Sequence, residues 1–252
     1  MKIGAQLYTA HDLTKTLEGF SETLKRVADI GYTTVQVSGT CAYEPEWLAE
    51  ELKKNGLTCG ITHTPFDRMV SDTDKVIAEH TTFGCDYIGI GGFFGGVEGM
   101  PKFIADATPV AEKMKAAGKM FMYHNHAWEY ENKCADGRTV MENLSDAFPA
   151  DLMGFTLDVY WCKFGGYDPL SEIKRLSGRL PCVHLKDMLL ENGEKKMAWV
   201  GGGNTMDFEA ICNAFIEAGS KYAYVEQDDC YGEDPLVCLK RSYDYLHSLG
   251  LH

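Results

Sequence analysis

The sequence lacks any apolar run near the roughly 20 residues that a membrane-spanning helix needs. No apolar signal core follows the amino terminus. Basic residues are scarce: 24 Lys and Arg stand against 37 Asp and Glu, which gives a formal net charge of −13. An acidic surface without a basic cluster repels phosphate backbones and anionic membranes. We therefore expect a cytoplasmic protein that binds neither nucleic acid nor membranes.

Two motifs with a recognisable spacing are also missing. The nine cysteines include no CxxC pair, which argues against a zinc ribbon or a redox dithiol. The segment after the first predicted strand, residues 6–11, lacks the glycine fingerprint of a dinucleotide-binding loop. This absence argues against a nucleotide-binding sheet as the fold.

The sequence does contain a repeated alternation of short apolar runs and amphipathic segments. Several of the amphipathic segments begin at a proline and stop near a glycine, including those that open at Pro45, Pro169 and Pro235, and a further helix is expected from about Pro101 to Gly118. The apolar runs predict eight strands, at residues 3–8, 34–38, 58–62, 87–91, 120–124, 154–158, 182–186 and 223–227. Strands that alternate with helices pair in parallel. The pattern predicts a single (β/α)8 TIM barrel domain over residues 1–252, with an open doubly wound sheet as the alternative.

Polar residues end several of the predicted strands, where a barrel of this kind builds its active site. Buried ionisable groups are costly unless they are paired or bind a metal ion. We therefore predict that two imidazoles and two carboxylates, from the strand ends near residues 124, 158, 184 and 226, hold one divalent metal ion. Mixed nitrogen and oxygen ligands suit Mn²⁺, Co²⁺, Zn²⁺ or Fe²⁺, and Mg²⁺ is a poorer match.

Other polar and aromatic residues near the strand ends are candidates for binding a substrate. Each also has a structural interpretation, since a glutamine can cap backbone groups, a histidine can orient a metal ligand, an aspartate can begin a helix, and an aromatic ring can fill the core. The predicted substrate-binding residues are Gln6, Tyr8, Gln36, His63, His126, Trp128, Trp161 and Asp187.

Four segments resemble the sugar phosphate isomerase/epimerase family of the xylose isomerase-like barrel superfamily. They are YHNHAWEY at 123–130, LDVYW at 157–161, VHLKD at 183–187 and VEQD at 225–228. The stretches GAQLYT at 4–9 and WVGGGNTMD at 199–207 fit the same pattern, so the resemblance covers almost the whole chain. It implies one divalent metal held by Glu, Asp, His and Glu, with the two Glu acting as acid and base, and the matching positions here are His124, Asp158, His184 and Glu226.

The chain departs from that family pattern at two positions. His124 stands where Glu is usual, and Gly202 stands where many relatives carry Glu. A metal-bound imidazole is a poor base, because its lone pair is already engaged. Glu129 is therefore the candidate for the missing carboxylate, provided that its loop folds inward.

The resemblance implies a metal-dependent sugar isomerase or epimerase that abstracts a proton next to a carbonyl and proceeds through an enediolate. Glu226 would be the base, His184 would bind the metal and orient the substrate, and Lys186 would donate to an oxygen or anchor an anion. The substrate is expected to be a small sugar or keto-sugar, more readily free than phosphorylated because no phosphate cradle is evident.

The sequence is also compatible with other functions. A lyase or dehydratase acting on a keto-sugar or keto-glycoside would use the same metal site, and a sugar-binding barrel without catalysis would need no base. A metal-dependent endonuclease of the related barrel type would need a basic groove and more ligands, and the net charge and the ligand count argue against it. The outer helices are also compatible with assembly into a homo-oligomer.

Overall fold

Eight parallel strands form the wall of a nearly closed barrel in a computed structural model that describes residues 1–252. Two further strands form a separate antiparallel hairpin. In chain order the ten strands are β1 (Lys2–Gln6), β2 (Thr34–Val37), β3 (Thr58–His63), β4 (Tyr87–Ile90), β5 (Met120–His124), β6 (Met153–Thr156), β7 (Cys182–Leu185), β8 (Asp187–Glu191), β9 (Glu194–Ala198) and β10 (Tyr222–Val225). The wall runs β6-β5-β4-β3-β2-β1-β10-β7. A single bridge between Asp158 and His184 joins its two ends.

Helices connect the wall strands and cover the outside of the barrel. A 3-10 helix, Leu7–Thr14, follows β1. The α-helices are α1 (Leu17–Ile30), α2 (Pro45–Lys54), α3 (Phe66–Ser71), α4 (Thr73–Thr82), α5 (Gly96–Ala116), α6 (Trp128–Glu131), α7 (Val140–Ala147), α8 (Val159–Phe164), α9 (Pro169–Arg175), α10 (Phe208–Glu217) and α11 (Pro235–Ser248). None of these helices combines the length and the apolar character that crossing a membrane requires.

The barrel predicted from the alternation of strands and helices is confirmed, and each predicted strand matches a wall strand within two residues at either end. Two elements differ from the prediction. The hairpin of β8 and β9 was not predicted, because its exposed strands carry no buried apolar run. Helix α5 begins at Gly96, not at Pro101, and it contains both Pro101 and Pro109, each of which removes one backbone hydrogen bond from the helix.

Large side chains fill the inside of the barrel beneath its mouth. The Tyr224 ring from β10 is fully buried there, and its hydroxyl lies 3.2 Å from the Thr34 hydroxyl. Glycines on neighbouring strands make room for this ring, since a Cβ at Gly4 or Gly60 would collide with it. The filled interior gives the strand ends above it a rigid floor.

We predict that Gly60→Ala destabilises the protein, because the added methyl group meets the Tyr224 hydroxyl in a packed interior. Overpacking of this kind costs about 1–3 kcal/mol. The Tyr224→Phe variant removes the obstructing oxygen and serves as the partner in a double-mutant cycle, followed by urea unfolding. Gly60→Ala should cost less in the Tyr224→Phe background than alone. Equal costs in the two backgrounds would show that the collision is not the cause.

Candidate active site

The mouth of the barrel brings together the four residues that the sequence marks as metal ligands. His124 ends β5, Asp158 follows β6, His184 lies in β7 and Glu226 follows β10. All four are buried, and one ligand atom from each lies within 4.8 Å of the others. The carboxyl ends of parallel strands converge at the mouth, so residues distant in the chain become neighbours there.

Asp158 is positioned by two local interactions. Its Oδ1 accepts a hydrogen bond from the Trp161 backbone N–H at 3.1 Å and caps α8, which leaves Oδ2 for the cluster. The Asn125 side chain bonds the Asp158 backbone on both sides, accepting from its N–H at 2.9 Å and donating to its carbonyl at 3.3 Å. These contacts tie the ends of β5 and β6 together and hold the carboxylate in place.

Each of the two imidazoles is held by a carbonyl oxygen on the side away from the cluster. The Nδ1–H of His124 donates to the Gly91 backbone carbonyl at 3.1 Å, and the Nε2–H of His184 donates to the Gln36 side-chain oxygen at 2.7 Å. Since those oxygens can only accept, the hydrogen lies on the outer nitrogen. In the neutral form of each imidazole, the inner nitrogen therefore carries the lone pair and faces the cluster. Histidines that bind metals are usually held in this way.

The spacing of the inner atoms suits a bound ion. His124 Nε2 lies 3.4 Å from Asp158 Oδ2, and His184 Nδ1 lies 3.6 Å from that oxygen and 2.9 Å from Glu226 Oε2. Ligand atoms that sit about 2.1 Å from one metal ion are about 3.0–3.4 Å apart when adjacent. His184 Nδ1 and Glu226 Oε2 are buried and make no aligned hydrogen bond despite their proximity. The four residues therefore fit a divalent metal ion.

The electric charge of the cluster also favours a cation. The fully buried ammonium of Lys186 lies 3.1 Å from Asp158 Oδ2, 2.8 Å from Glu226 Oε2 and 3.0 Å from both oxygens of Asp228. Burial opposes its charge, but the three carboxylates raise the pKa of Lys186 well above its ordinary value. Three carboxylates around one ammonium leave two negative charges uncompensated, and a divalent ion would neutralise them.

The pKa values of the two imidazoles shift in opposite directions, although the carboxylates raise both. Burial opposes a charge on His184, but Glu226 and Asp158 raise its pKa to about 9. Burial and the neighbouring His184 lower the pKa of His124. Without a metal ion, a proton on His184 Nδ1 supplies part of the positive charge that the carboxylates require.

A cavity of about 280 Å³ opens beside this cluster at the mouth of the barrel. Of the predicted substrate-binding residues, Tyr8, His63 and His126 line it. Trp161 lies close by, with its ring centroid 5.3 Å from the Lys186 ammonium and 5.5 Å from the His126 ring. Buried nitrogens of His63, His126 and Trp161 have no hydrogen-bond partner in the protein. These nitrogens are unpaired polar groups beside the cavity.

Four residues that also line this cavity are not among the predicted site residues: Ser38, Gly91, Phe94 and Asp228. Two of them carried a usable signal, since Ser38 and Asp228 lie two residues beyond Gln36 and Glu226 and point to the same side of their strands. Phe94 gave no such signal, because it lies in a glycine-rich loop rather than at a strand end.

Four predicted substrate-binding residues do not reach the cavity. Gln36 lies beneath it and holds His184, and Gln6 caps the 3-10 helix by accepting from the Tyr8 N–H at 3.1 Å. The Trp128 ring packs against the Phe93 ring, and their centroids are 6.1 Å apart. The remaining one, Asp187, accepts backbone hydrogen bonds from three residues of its own loop region: Met188, Gly201 and Gly203.

Glu129 does not line the cavity either. Its Oε1 accepts from the Tyr123 hydroxyl and its Oε2 accepts from the His126 backbone N–H, both at 2.8 Å. Burial raises its pKa to about 8, although these hydrogen bonds oppose the shift. The loop therefore uses this carboxyl group to hold its own backbone. The wall of the cavity opposite Glu226 carries imidazoles instead of a carboxylate.

Comparison with known proteins places this geometry in a family. Residues 24–236 match the family model of the xylose isomerase-like TIM barrels. The chain belongs to this family. No curated protein sequence matches the chain.

Several solved structures share the fold. A sugar phosphate isomerase/epimerase from Parabacteroides distasonis has a TM-score of 0.82 at 22% identity, covering 98% of this chain and 93% of that one. An L-ribulose 3-epimerase has a TM-score of 0.72 at 16% identity, covering 99% and 94%. The probable 3-DHS dehydratase AsbF of Bacillus anthracis has a TM-score of 0.74 at 14% identity, covering 98% and 99%. At these identities the similarity establishes the fold alone.

We predict that Gln36→Leu weakens binding of Mn²⁺ or Zn²⁺ about 10- to 100-fold, the usual effect of losing the partner of a metal-binding histidine. The affinity should fall because the variant lacks the Gln36 side-chain oxygen, the acceptor that keeps the hydrogen of His184 on Nε2. Metal titration by calorimetry measures the effect. Gln6→Leu is the matched control, since Gln6 is paired with Gln36 in the sheet but caps a helix. Unchanged affinity in Gln36→Leu would refute the positioning role.

The buried carboxyl group of Glu129 predicts a specific pH dependence of stability. Its pKa rises from an ordinary 4.5 to about 8 in the folded protein, so the folded state holds an extra proton between those values. The unfolding free energy should fall as pH rises through this window, by up to about 1.4 kcal/mol per pH unit from this group. Urea unfolding from pH 5 to 9 should show a weaker decline in Glu129→Gln. Parallel curves for the two proteins would exclude this assignment.

Proposed function

We propose that the protein is a divalent-metal-dependent sugar isomerase or epimerase that abstracts a proton next to a carbonyl and proceeds through an enediolate. The observation that carries this proposal is the buried cluster of His124, Asp158, His184 and Glu226, with its excess negative charge, at the edge of a polar cavity. The family and the isomerase and epimerase structures that share its fold support the same reaction class.

A divalent ion such as Mn²⁺, Co²⁺, Zn²⁺ or Fe²⁺, held by those four residues, would supply a Lewis acid for the carbonyl and hydroxyl oxygens of the sugar. Glu226 lines the cavity and is the carboxylate that we assign as the base. Lys186 also lines the cavity, and its ammonium would donate to a substrate oxygen, in place of one of its carboxylate partners, as negative charge develops. Asp228 holds that ammonium through both of its oxygens.

The positions of the acidic residues around the cavity bear on which carbon, and which face of the sugar, receives the abstracted proton. The two carboxylates that line it, Glu226 and Asp228, both follow β10, whereas His63, His124 and His126 form the facing wall. Aldose–ketose isomerisation moves a proton between adjacent carbons and needs one base on one face of the sugar. Epimerisation needs a second proton-transfer group on the opposite face, and here an imidazole would have to serve. The geometry therefore favours isomerisation.

A lyase or dehydratase is the second candidate. Abstraction of the same proton followed by loss of a β-substituent requires no second carboxylate, which matches a cavity that Glu129 does not reach. A probable dehydratase is among the structures of the same fold. A sugar-binding barrel without activity is the third candidate, and it would leave the bound sugar unchanged.

We predict that Glu226→Gln lowers turnover about 10²- to 10⁴-fold, the usual contribution of a general base. Incorporation of deuterium from D2O into a panel of ketoses, followed by NMR with Mn²⁺ present, measures the step directly. Glu129→Gln is the matched control and should retain exchange, because its carboxyl group lies outside the cavity.

The outcomes separate the three candidates. Exchange with an aldose product supports the isomerase, and release of the β-substituent supports the lyase. Exchange that persists in Glu226→Gln removes this residue from the mechanism. If the metal-loaded wild-type protein binds ketoses but exchanges no deuterium into them, the result supports the inactive sugar-binding barrel.

A further inference from the structure

A second and larger cavity lies beside the candidate active site on the same face of the barrel. Its volume is about 580 Å³, and it runs between residues 37–43, which follow β2, and residues 63–65, which follow β3. Helices α3 and α4 close its outer side. We call this cavity the side groove. It occupies the loops at the carboxyl ends of the strands, where barrels of this fold bind their substrates.

The side groove and the active-site cavity have two residues in common, Ser38 and His63. The two side chains contact each other, with Ser38 Oγ 3.2 Å from His63 Nδ1. His63 also stacks on the metal-ligand candidate His124, with ring centroids 5.1 Å apart. Its Nε2 is buried and has no partner in the protein. The His63 side chain therefore contacts a proposed metal ligand and also lines the side groove.

The sizes of the two cavities indicate how much substrate each can hold. The active-site cavity, at about 280 Å³, falls just below the range of about 300–1,000 Å³ that is usual for ligand pockets. It suits a single sugar ring. The side groove, at about 580 Å³, falls inside that range by itself and is large enough for a second ring, and Ser38 and His63 form the wall between the two cavities.

The lining of the side groove is that of a surface that binds a ring with hydroxyl groups. Tyr43 and Phe83 offer aromatic faces, which pack against flat apolar surfaces. Thr64 and the ion-paired side chains of Arg68 and Glu79 offer donors and acceptors on the same walls. The groove has no unpaired basic cluster that would favour a phosphate group.

We propose that the side groove binds a second ring attached to the reacting sugar, so that the preferred substrate is a glycosylated keto-sugar instead of a free monosaccharide. This inference rests on the proposed function and specifies its substrate class. The reacting carbonyl would lie in the small cavity beside Glu226, and the second ring would lie between the loops after β2 and β3. The groove contributes to binding and takes no part in proton transfer.

Calorimetric titration of the Mn²⁺-loaded protein tests the proposal with D-fructose and three ketoses that carry a second ring: turanose, lactulose and isomaltulose. At least one of these disaccharides should bind about tenfold or more tightly than D-fructose, the gain expected from about 1.4 kcal/mol of added contact. Ala42→Trp places a bulky ring in the groove and should reduce that preference to less than about threefold, an energy difference near 0.6 kcal/mol. Ala116→Trp, on the exposed end of α5, is the matched control and should keep it.

Binding of Mn²⁺ should be the same in all three proteins, because none of the changes touches the metal ligands. Equal affinities for D-fructose and every disaccharide, or a preference that survives Ala42→Trp, would overturn the side groove while leaving the proposed function intact. If the wild-type protein binds neither Mn²⁺ nor any of the ketoses, both proposals are overturned.

Discussion

Excess buried negative charge at the mouth of the barrel is the physical constraint on which the rest of the site depends. Asp158 and Glu226 lie where water hardly reaches, and with the partly exposed Asp228 they surround the single ammonium of Lys186. Carboxylates in such a place are costly unless cations neutralise them. Lys186 supplies one of those positive charges and a divalent ion would supply the remainder, whereas without an ion a proton on His184 replaces part of it. The arrangement is that of a site built to bind a cation.

The surrounding residues keep the cluster in that arrangement. Gln36 and the Gly91 carbonyl hold the outer nitrogens of the two imidazoles, and Asn125 fixes the backbone at Asp158. Beneath them the Tyr224 ring fills the barrel and leaves the strand ends little freedom to move. A metal centre needs its ligands placed to within a fraction of an ångström, and such support provides that precision.

Much of this could be predicted from the sequence. The period of apolar runs gave all eight wall strands, because a strand buried on both faces must be apolar along its length. Polar residues at the ends of buried strands predicted a metal site, and the resemblance to the sugar phosphate isomerase/epimerase family selected His124, Asp158, His184 and Glu226 as its ligands. The hairpin of β8 and β9 was missed, since exposed strands carry no comparable pattern.

The sequence alone determined the barrel and the chemical types of its candidate ligands, because both depend on local periodicity and on residue type. Only the tertiary structure decided which polar residues face the cavity. Glu129 and Asp187 look like site residues in the chain but turn their carboxylates toward backbone N–H groups. Gln36 changes from a candidate substrate contact to the partner of His184. These differences arise because the direction of a side chain depends on which hydrogen-bond partners the fold brings within reach, and those partners are distant in the sequence.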